Sequence, residues 1–144
     1  MRKTIIVCLL LAVLILLPGC GVKSESGVTI DYGSSELYTK EDMDAAISLI
    51  KKEFDTWKDC ELHSIRYASD EQCSAENLAW MNDLEAANDA MEQFTEVICF
   101  VSDFHSPKKN TGMTAWNEDT EYTDWQWWLA RADRGEWKLM TWGY

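Results

Sequence analysis

The stretch YTDWQWWLARADRGEWKLMTWGY, residues 122–144, decides the fold, because it contains two aromatic runs separated by a short polar turn. It holds five of the eight tryptophans of the chain. The runs 122–132 and 136–144 are separated by residues 133–135, and Gly135 supplies the glycine that tight hairpin loops commonly require. The stretch therefore predicts a Trp-rich β-hairpin at the end of a curved antiparallel sheet.

Strict alternation divides the side chains of this hairpin between the two faces of the sheet. One face carries Trp128, Trp142 and Tyr144, which exceed what a one-sided core needs. These three are candidate binding residues that could line a pocket, stack on sugar rings or contact a partner protein. A single bulge would invert the assignment. The other face, which we expect to form the core, carries Trp125, Trp127, Leu129, Trp137 and Leu139.

The first part of the domain supplies a helix that can cover the core face. Thr39 is placed to cap a helix N-terminus, with Asp42 three residues later as in a capping box. Tyr38 can pack on Met43 across this cap. Apolar residues then recur at steps of four, three, four and three, which predicts a long amphipathic helix over about residues 40–57. They are Met43, Ile47, Ile50, Phe54 and Trp57.

Two strands and a second helix are predicted between this helix and the hairpin. A strand over about residues 60–68 has broken alternation, which indicates a bulge. Ser74 can cap a second helix, which could be interrupted near Asn82. The segment 94–104 is predicted as a strand with both faces largely covered, and 105–121 as a long surface loop. The apolar face of the second helix is Leu78, Met81, Leu84, Ala87 and Met91.

The N-terminus has the three parts of an export signal. Arg2 and Lys3 precede the apolar run 4–17, which is shorter than the about 20 residues of a membrane-spanning helix. The sequence LPGC that ends at Cys20 resembles the lipobox of bacterial lipoproteins. That resemblance implies a signal peptide over residues 1–19 and a diacylglyceryl group on Cys20. The alternative is an ordinary secretory signal in which Cys20 has no special role.

The lipobox resemblance implies a mature chain on the extracytoplasmic face of the cell membrane, held there through Cys20. Two or more acyl chains hold a protein stably at a bilayer. Residues 20–35 are rich in Gly and Ser and predict a flexible tether. Residues 36–144 then form a single domain of ordinary size.

Charge and cysteine content exclude several classes of protein. Without Arg2 and Lys3 the chain keeps 11 basic against 25 acidic residues, a formal net charge of −14. Nucleic-acid binding requires clusters of Lys and Arg, so we expect no nucleic-acid partner. Cys60 and Cys73 could form a disulfide outside the cytoplasm, whereas Cys99 lies in an apolar run as a buried thiol. No cysteine spacing fits zinc, and we expect no metal or cofactor.

The domain resembles a family of uncharacterised small lipoproteins and secreted domains of Gram-positive bacteria. The resemblance covers residues 36–144 and is most specific in the SDF and WQW…GEWKL…WGY runs. The order helix, strand, helix and three antiparallel strands is similar to the cystatin-like α+β roll of the nuclear transport factor two and ketosteroid isomerase class. The chain departs from that class in having fewer clear N-terminal elements. The segments that carry the resemblance are SELYTKEDMDAAISLIKKEF, CELHSIRYASDE, VICFVSDFHS, YTDWQWWLARAD and GEWKLMTWGY.

Three function classes are compatible with these residues. The first is a noncatalytic binding module that binds a peptide, a glycan or a partner protein of the envelope, and it needs the fewest assumptions. The second is a small roll-fold enzyme in which Asp103 and His105, on one strand face, act as acid and base. Glu121 and Asp124 are further candidates for that chemistry. The third is calcium binding by the acidic loop 117–124, whose spacing lacks the EF-hand pattern.

Overall fold

The computed structural model describes residues 27–90, 92–109 and 116–144. The predicted signal peptide, Cys20 and Met91 lie outside these ranges. The described residues form an α+β structure, as predicted, with two α-helices and a five-stranded sheet. In chain order the elements are β1 (Thr29–Asp31), α1 (Lys40–Phe54), β2 (Glu61–Tyr67), a 3₁₀ turn (Asp70–Gln72), α2 (Ala75–Ala87), β3 (Glu96–His105), β4 (Glu121–Arg131) and β5 (Lys138–Gly143).

The sheet has the strand order β1-β2-β3-β4-β5 and is mixed. Strand β1 pairs parallel with β2, with Thr29 opposite Ser64, whereas the other three pairs are antiparallel. The prediction of a purely antiparallel sheet is therefore wrong at the β1 edge. Three residues are too few for an alternating pattern to reveal a strand in the sequence.

Strand β1 also corrects the predicted boundary between tether and domain. Val28 and Ile30 are each 8 % exposed and belong to the core, and Tyr32 packs against that core. The prediction that residues 20–35 are a tether is wrong from Val28 onward, because these side chains are buried against the rest of the domain. Residues 20–26 lie outside the described part of the chain.

Helix α1 begins with the predicted capping box. The Thr39 hydroxyl accepts a hydrogen bond from the backbone N–H of Asp42 at 3.2 Å, and the Asp42 carboxylate accepts one from the backbone N–H of Thr39 at 3.0 Å. These bonds satisfy N–H groups that a helix start leaves free. The helix ends at Phe54 rather than near residue 57, because the chain turns and the Trp57 N–H bonds to the Phe54 carbonyl at 2.9 Å.

The inner face of the sheet packs against α1. Met43, Ile47 and Ile50 of the helix are at most 4 % exposed and contact the same apolar cluster as the inner residues of the strands. Each fully buried aliphatic or Phe side chain contributes about 1.5–3 kcal/mol to folding. The strand residues with no exposure in this cluster are Ile65, Ile98, Phe100, Phe104, Trp127 and Leu129.

The outer face of the sheet is covered in part by α2, so β3 is buried on both faces as predicted. Helix α2 is capped by Ser74, whose hydroxyl accepts from the Asn77 N–H at 3.2 Å. It is continuous through Asn82, and the predicted interruption there is wrong. The Asn82 side chain instead bonds to the backbone N–H and carbonyl of Phe94. The buried residues of this outer cluster are Met81, Phe94, Val97, Cys99, Trp128 and Ala130.

At one end of the sheet, bulges in the strands change the face of the sheet on which the following side chains lie. The pairing of β2 with β3 shifts at His63, which confirms the bulge predicted there. Two residues of β4, Thr123 and Asp124, oppose Asp103 of β3, and Asp124 has a left-handed φ of 57°. In β5 the residue Met140 is extra, because its neighbours Leu139 and Thr141 pair with consecutive residues of β4.

The turn between β4 and β5 differs in detail from the prediction. The left-handed conformations belong to Asp133 and Arg134, with φ of 48° and 58°, and not to Gly135. The Gly135 N–H bonds to the Ala132 carbonyl at 2.8 Å. A Cβ on Gly135 would lie 2.9 Å from that carbonyl oxygen, so glycine is needed there for close approach.

The three described cysteines are free, so Cys60 and Cys73 do not pair. Cys60 precedes β2 and Cys73 follows it, and a strand of that length separates its ends by about 20 Å. Cys99 is buried as predicted, and burial raises the pKa of its thiol to about 12. Within the described residues, no helix has the length and hydropathy needed to cross a membrane.

Candidate binding site at one end of the sheet

The first residues of β2 and β4 and the last residues of β3 and β5 lie together at one end of the sheet. Glu61 lies opposite His105, and His105 lies opposite Glu121 on its other side. Strand β5 runs antiparallel to β4, so the last residues of β5 also lie at this end. The turn after α1 adds Trp57, whose ring centroid is 5.5 Å from that of Phe104.

Aromatic rings converge on the inner face at this end. Trp57 is central, with its ring centroid 4.5 Å from Trp116 and 5.1 Å from Trp127. It also lies 6.1 Å from Trp125 and 6.3 Å from Trp142. We define the aromatic cluster as the rings that continue from the buried core toward solvent. Its members are Trp57, Trp116, Tyr122, Trp125, Trp142 and Tyr144.

Exposure rises steadily across this cluster. Trp127 beneath it is fully buried, Trp57 and Trp125 are half-buried, and the outermost rings Trp142 and Tyr144 are 39 % and 77 % exposed. Tyr144 stacks edge-on against Trp125 with a centroid distance of 5.1 Å. The rings therefore form a supported aromatic surface, and packing from below fixes the orientation of the exposed members.

The indole N–H of Trp125 is buried and has no hydrogen-bond partner among the described residues. The neighbouring Trp127 N–H donates to the Ser102 hydroxyl at 2.8 Å, so an unpaired indole is unusual here. A buried donor without an acceptor costs about 1–3 kcal/mol.

The structure separates the three aromatic residues that the sequence grouped together. Trp128 is 6 % exposed on the outer face, where it contacts Trp80 of α2. Trp142 lies on the inner face beside Trp127, and Tyr144 joins it there. The extra residue Met140 shifts β5 by one position, so the single-face grouping of Trp128, Trp142 and Tyr144 is wrong.

Both histidines of the chain meet one carboxylate at the same end. His63 Nδ1 and His105 Nδ1 lie 2.9 Å and 3.0 Å from the two carboxylate oxygens of Glu121. His105 Nε2 lies 3.0 Å from a carboxylate oxygen of Asp119. Hydrogen bonds to Asp119 first and to Glu121 second raise the pKa of His105. A cleft of about 480 Å³ beside the two imidazoles is bounded by Glu61.

Asp103 belongs to a different network from His105. Its carboxylate accepts hydrogen bonds from the Asp124 N–H, the Ser64 hydroxyl and Arg66, at 3.1–3.2 Å. Partial burial acts to raise the pKa of Asp103, but these hydrogen bonds and the Arg66 charge outweigh it and lower the pKa. A carboxylate held ionised by three donors is a weak base, so this geometry does not favour the acid and base pair expected from the sequence.

The sequence reasoning missed Trp57, Trp116, Trp125 and His63 as members of one site. The three tryptophans lie in the α1–β2 connection, in the β3–β4 connection and in β4, and no spacing in the chain joins them. Only the topology brings them together. Neighbouring antiparallel strands run in opposite directions, so the last residues of one strand and the first residues of the next meet at the same end of the sheet. The described residues contain no group of three or more His, Cys, Asp or Glu that could hold a metal ion.

Comparisons with protein-family models, with curated proteins and with solved structures find no match for this chain. The resemblance to small Gram-positive lipoproteins stays a prediction. The function of the site is therefore inferred from its own geometry.

Proposed function

We propose that this chain is a lipoprotein held on the extracytoplasmic face of the cell membrane by acyl chains on Cys20. The sequence LPGC after a charged and apolar leader supports this location. An acyl anchor also suits a chain with a net charge of −14, since such a chain gains nothing from anionic lipid.

For the fold we propose a cystatin-like roll, with α1 as its long helix and the β4–β5 pair as its Trp-rich hairpin. The support is the packing of α1 across the antiparallel strands β2 to β5. Bulges at His63, Asp124 and Met140 are the features that curve such a sheet. The parallel strand β1 is an addition to that pattern.

The folded domain serves as a noncatalytic binding module, and its binding surface is the aromatic cluster. The observation that carries this proposal is the exposed pair Trp142 and Tyr144, whose rings rest on the packed rings of Trp127 and Trp125. Exposed aromatic rings bind sugars, peptides and partner proteins because they offer a large apolar surface at low conformational cost. Its ligand is a peptide, a glycan or a partner protein of the envelope.

The anchor is tested by replacing each cysteine of the leader region in turn. Cys20→Ala should abolish incorporation of labelled fatty acid and remove the protein from the membrane fraction. Cys8→Ala is the matched control, because Cys8 lies within the apolar run of the leader, and it should leave labelling unchanged. Labelling that survives Cys20→Ala would rule out this anchor.

The binding surface is tested with two tryptophans of equal exposure. Trp142 and Trp80 are 39 % and 40 % exposed, on the inner and outer sides of the sheet. The acylated chain is titrated with separated envelope fractions, and binding is followed through tryptophan emission. Trp142→Ala should weaken binding about tenfold while Trp80→Ala leaves it unchanged, since only the first lies in the aromatic cluster. Equal binding by both variants would exclude this surface.

A further inference from the structure

The described chain begins at the same end of the domain as the aromatic cluster. Strand β1 runs parallel to β2 and starts beside its middle, with Thr29 opposite Ser64, so Val28 and Gly27 lie toward the first residues of β2. Gly27 and Val28 border a surface groove with Phe54 and Leu62. Phe54 in turn contacts Trp57 with a ring-centroid distance of 5.0 Å. The chain that precedes Gly27 therefore enters the domain from this end.

Chain length sets how far this end can lie from the lipid-bearing residue. Cys20 and Gly27 are seven residues apart, and seven residues span at most about 25 Å even when fully extended. A folded domain of this size is about 35 Å across. An anchor at Cys20 thus keeps the end that carries Gly27 toward the bilayer. A domain turned over would hold Gly27 about 35 Å from the lipid, which is farther than seven residues can span.

The aromatic cluster has the chemistry of residues that lie at a bilayer surface. Trp and Tyr concentrate at the boundary between headgroups and acyl chains, because each has an apolar ring and a polar N–H or O–H. Trp142 and Tyr144 are the exposed members at this end.

We propose that the aromatic cluster lies against the lipid–water interface of the membrane, with Trp142 and Tyr144 among the lipid headgroups. This proposal rests on the lipid anchor of the proposed function and assigns its binding surface to membrane lipid rather than to a peptide, a glycan or a partner protein. The anchor supplies the attachment, and the aromatic contact fixes the orientation of the domain.

The charges at this end determine which lipid suits the contact. Lys51, Lys58, Lys108 and Lys109 are outnumbered by carboxylates, so anionic headgroups are repelled rather than attracted. The contact therefore depends on the aromatic rings and is strongest on zwitterionic lipid. The acidic residues at this end are Asp55, Asp59, Glu61, Asp119 and Glu121.

The experiment uses the full acylated chain in phosphatidylcholine vesicles whose acyl chains are brominated near the headgroup, since bromine quenches nearby tryptophan. Wild-type emission should fall relative to unbrominated vesicles. Trp142→Phe should lose about half of that quenching, while the matched control Trp80→Phe should keep it. Mixing phosphatidylglycerol into the vesicles should reduce the quenching. The mass of the N-terminal peptide and flotation with vesicles report acylation and attachment in the same samples.

The outcomes separate this proposal from the one it rests on. A chain that is acylated and floats with vesicles but shows no quenching overturns the interfacial contact and leaves the anchor intact. A chain without acylation overturns both. Emission that instead changes on addition of envelope glycan or of envelope protein, with no quenching by lipid, assigns the aromatic cluster to that ligand and also overturns the contact.

Discussion

Arg131 places a guanidinium inside the domain, where its side chain is 5 % exposed. It donates through Nε to Glu96 at 2.7 Å and through Nη1 to Asp42 at 2.8 Å. Its guanidinium carbon also lies 4.2 Å from the centre of the Trp137 ring. One side chain thereby joins β4, β3 and the first turn of α1. Alternation along β4 puts Arg131 on the same face as Leu129, but it does not indicate these partners.

Arg131→Met should lower the free energy of unfolding by about 3 kcal/mol, because it leaves Asp42 and Glu96 without their cation in a partly buried site. Urea unfolding measures the change. Arg134→Met is the matched control, since Arg134 is exposed, and it should change stability by about 0.5 kcal/mol or less. A similar loss in both variants would show that the buried ion pairs are not the cause.

His105 should make the stability of the domain depend on pH. Its pKa is raised in the folded protein by Asp119 and Glu121, so it contributes stability that is complete below the unfolded pKa near 6.5. That contribution is lost as the pH rises through the higher folded pKa. Replacing His105 with Asn should therefore lower the urea midpoint more at pH 5.5 than at pH 8.5.

Asp119→Asn provides the second arm of this test. It removes the partner that contributes most to the raised pKa, so the pH dependence of stability should become smaller while His105 is retained. Glu61 and His63 also face this site and are left unchanged in both variants. Equal effects of His105→Asn at the two pH values would contradict the assignment.

At the level of elements, the turn between β4 and β5 has two left-handed residues where a glycine would fit better. Arg134 has a φ of 58°, and the favoured sequence for two such residues ends in glycine. Arg134→Gly should raise the free energy of unfolding by about 0.5–1 kcal/mol, because the relieved backbone strain exceeds the added freedom of the unfolded chain. Thermal unfolding reports the sign.

Two neighbouring positions act as controls for this turn. Glu136→Gly should lower stability, because Glu136 has no left-handed strain to relieve. Gly135→Ala should also lower it, because the new Cβ would approach the Ala132 carbonyl oxygen to 2.9 Å. Stabilisation by either change would contradict this account of the turn.

Strand β1 should contribute to the stability of the domain, although its residues resemble a linker in the sequence. Ile30→Ala should lower the free energy of unfolding by about 2–3 kcal/mol, because Ile30 is 8 % exposed and its removal leaves a cavity. Thr29→Ala, at an exposed position of the same strand, should stay within about 0.5 kcal/mol. If both variants unfold like the wild type, the segment contributes no packing to the domain.

The helices could be predicted because caps and periodic apolar residues are local features. Thr39 and Ser74 mark both starts, and the stripe from Met43 to Phe54 marks the buried face of α1. The aromatic cluster could not be predicted, because the extra residue Met140 reverses the faces beyond it and the alternation along β5 gives no sign of this bulge.

The contact of both histidines with Glu121 could not be predicted, because these residues are far apart in the sequence. His63 and Glu121 are 58 residues apart, and Glu121 and His105 are on strands joined by a long connection. Their contact depends on the register of three strands together. Strand β1 was missed for a related reason, since its three residues acquire a structure only by pairing with β2.

For the whole molecule, the excess of carboxylates acts on every part of the fold. A formal net charge of −12 makes the compact state repel itself. Raising NaCl from about 0.02 M to about 0.2 M shortens the screening length from about 20 Å to about 7 Å. The thermal midpoint should rise by a few degrees, and calorimetry measures it.

Choline chloride at the same ionic strength is the control, since it screens charge without offering a small metal cation. It should give the same rise as NaCl. A midpoint that falls with either salt would show that attractive pairs, such as those of Arg131, outweigh the general repulsion.

The parallel pairing of β1 with β2 has a mechanical consequence. A pull on the chain before Gly27 is directed along the axis of β1, so the hydrogen bonds between Thr29–Asp31 and β2 are loaded in shear. Hydrogen bonds loaded in shear bear the force together, whereas a strand that is pulled away sideways loses its hydrogen bonds one at a time. The first strand can therefore act as a clamp that resists tension from its own N-terminal side.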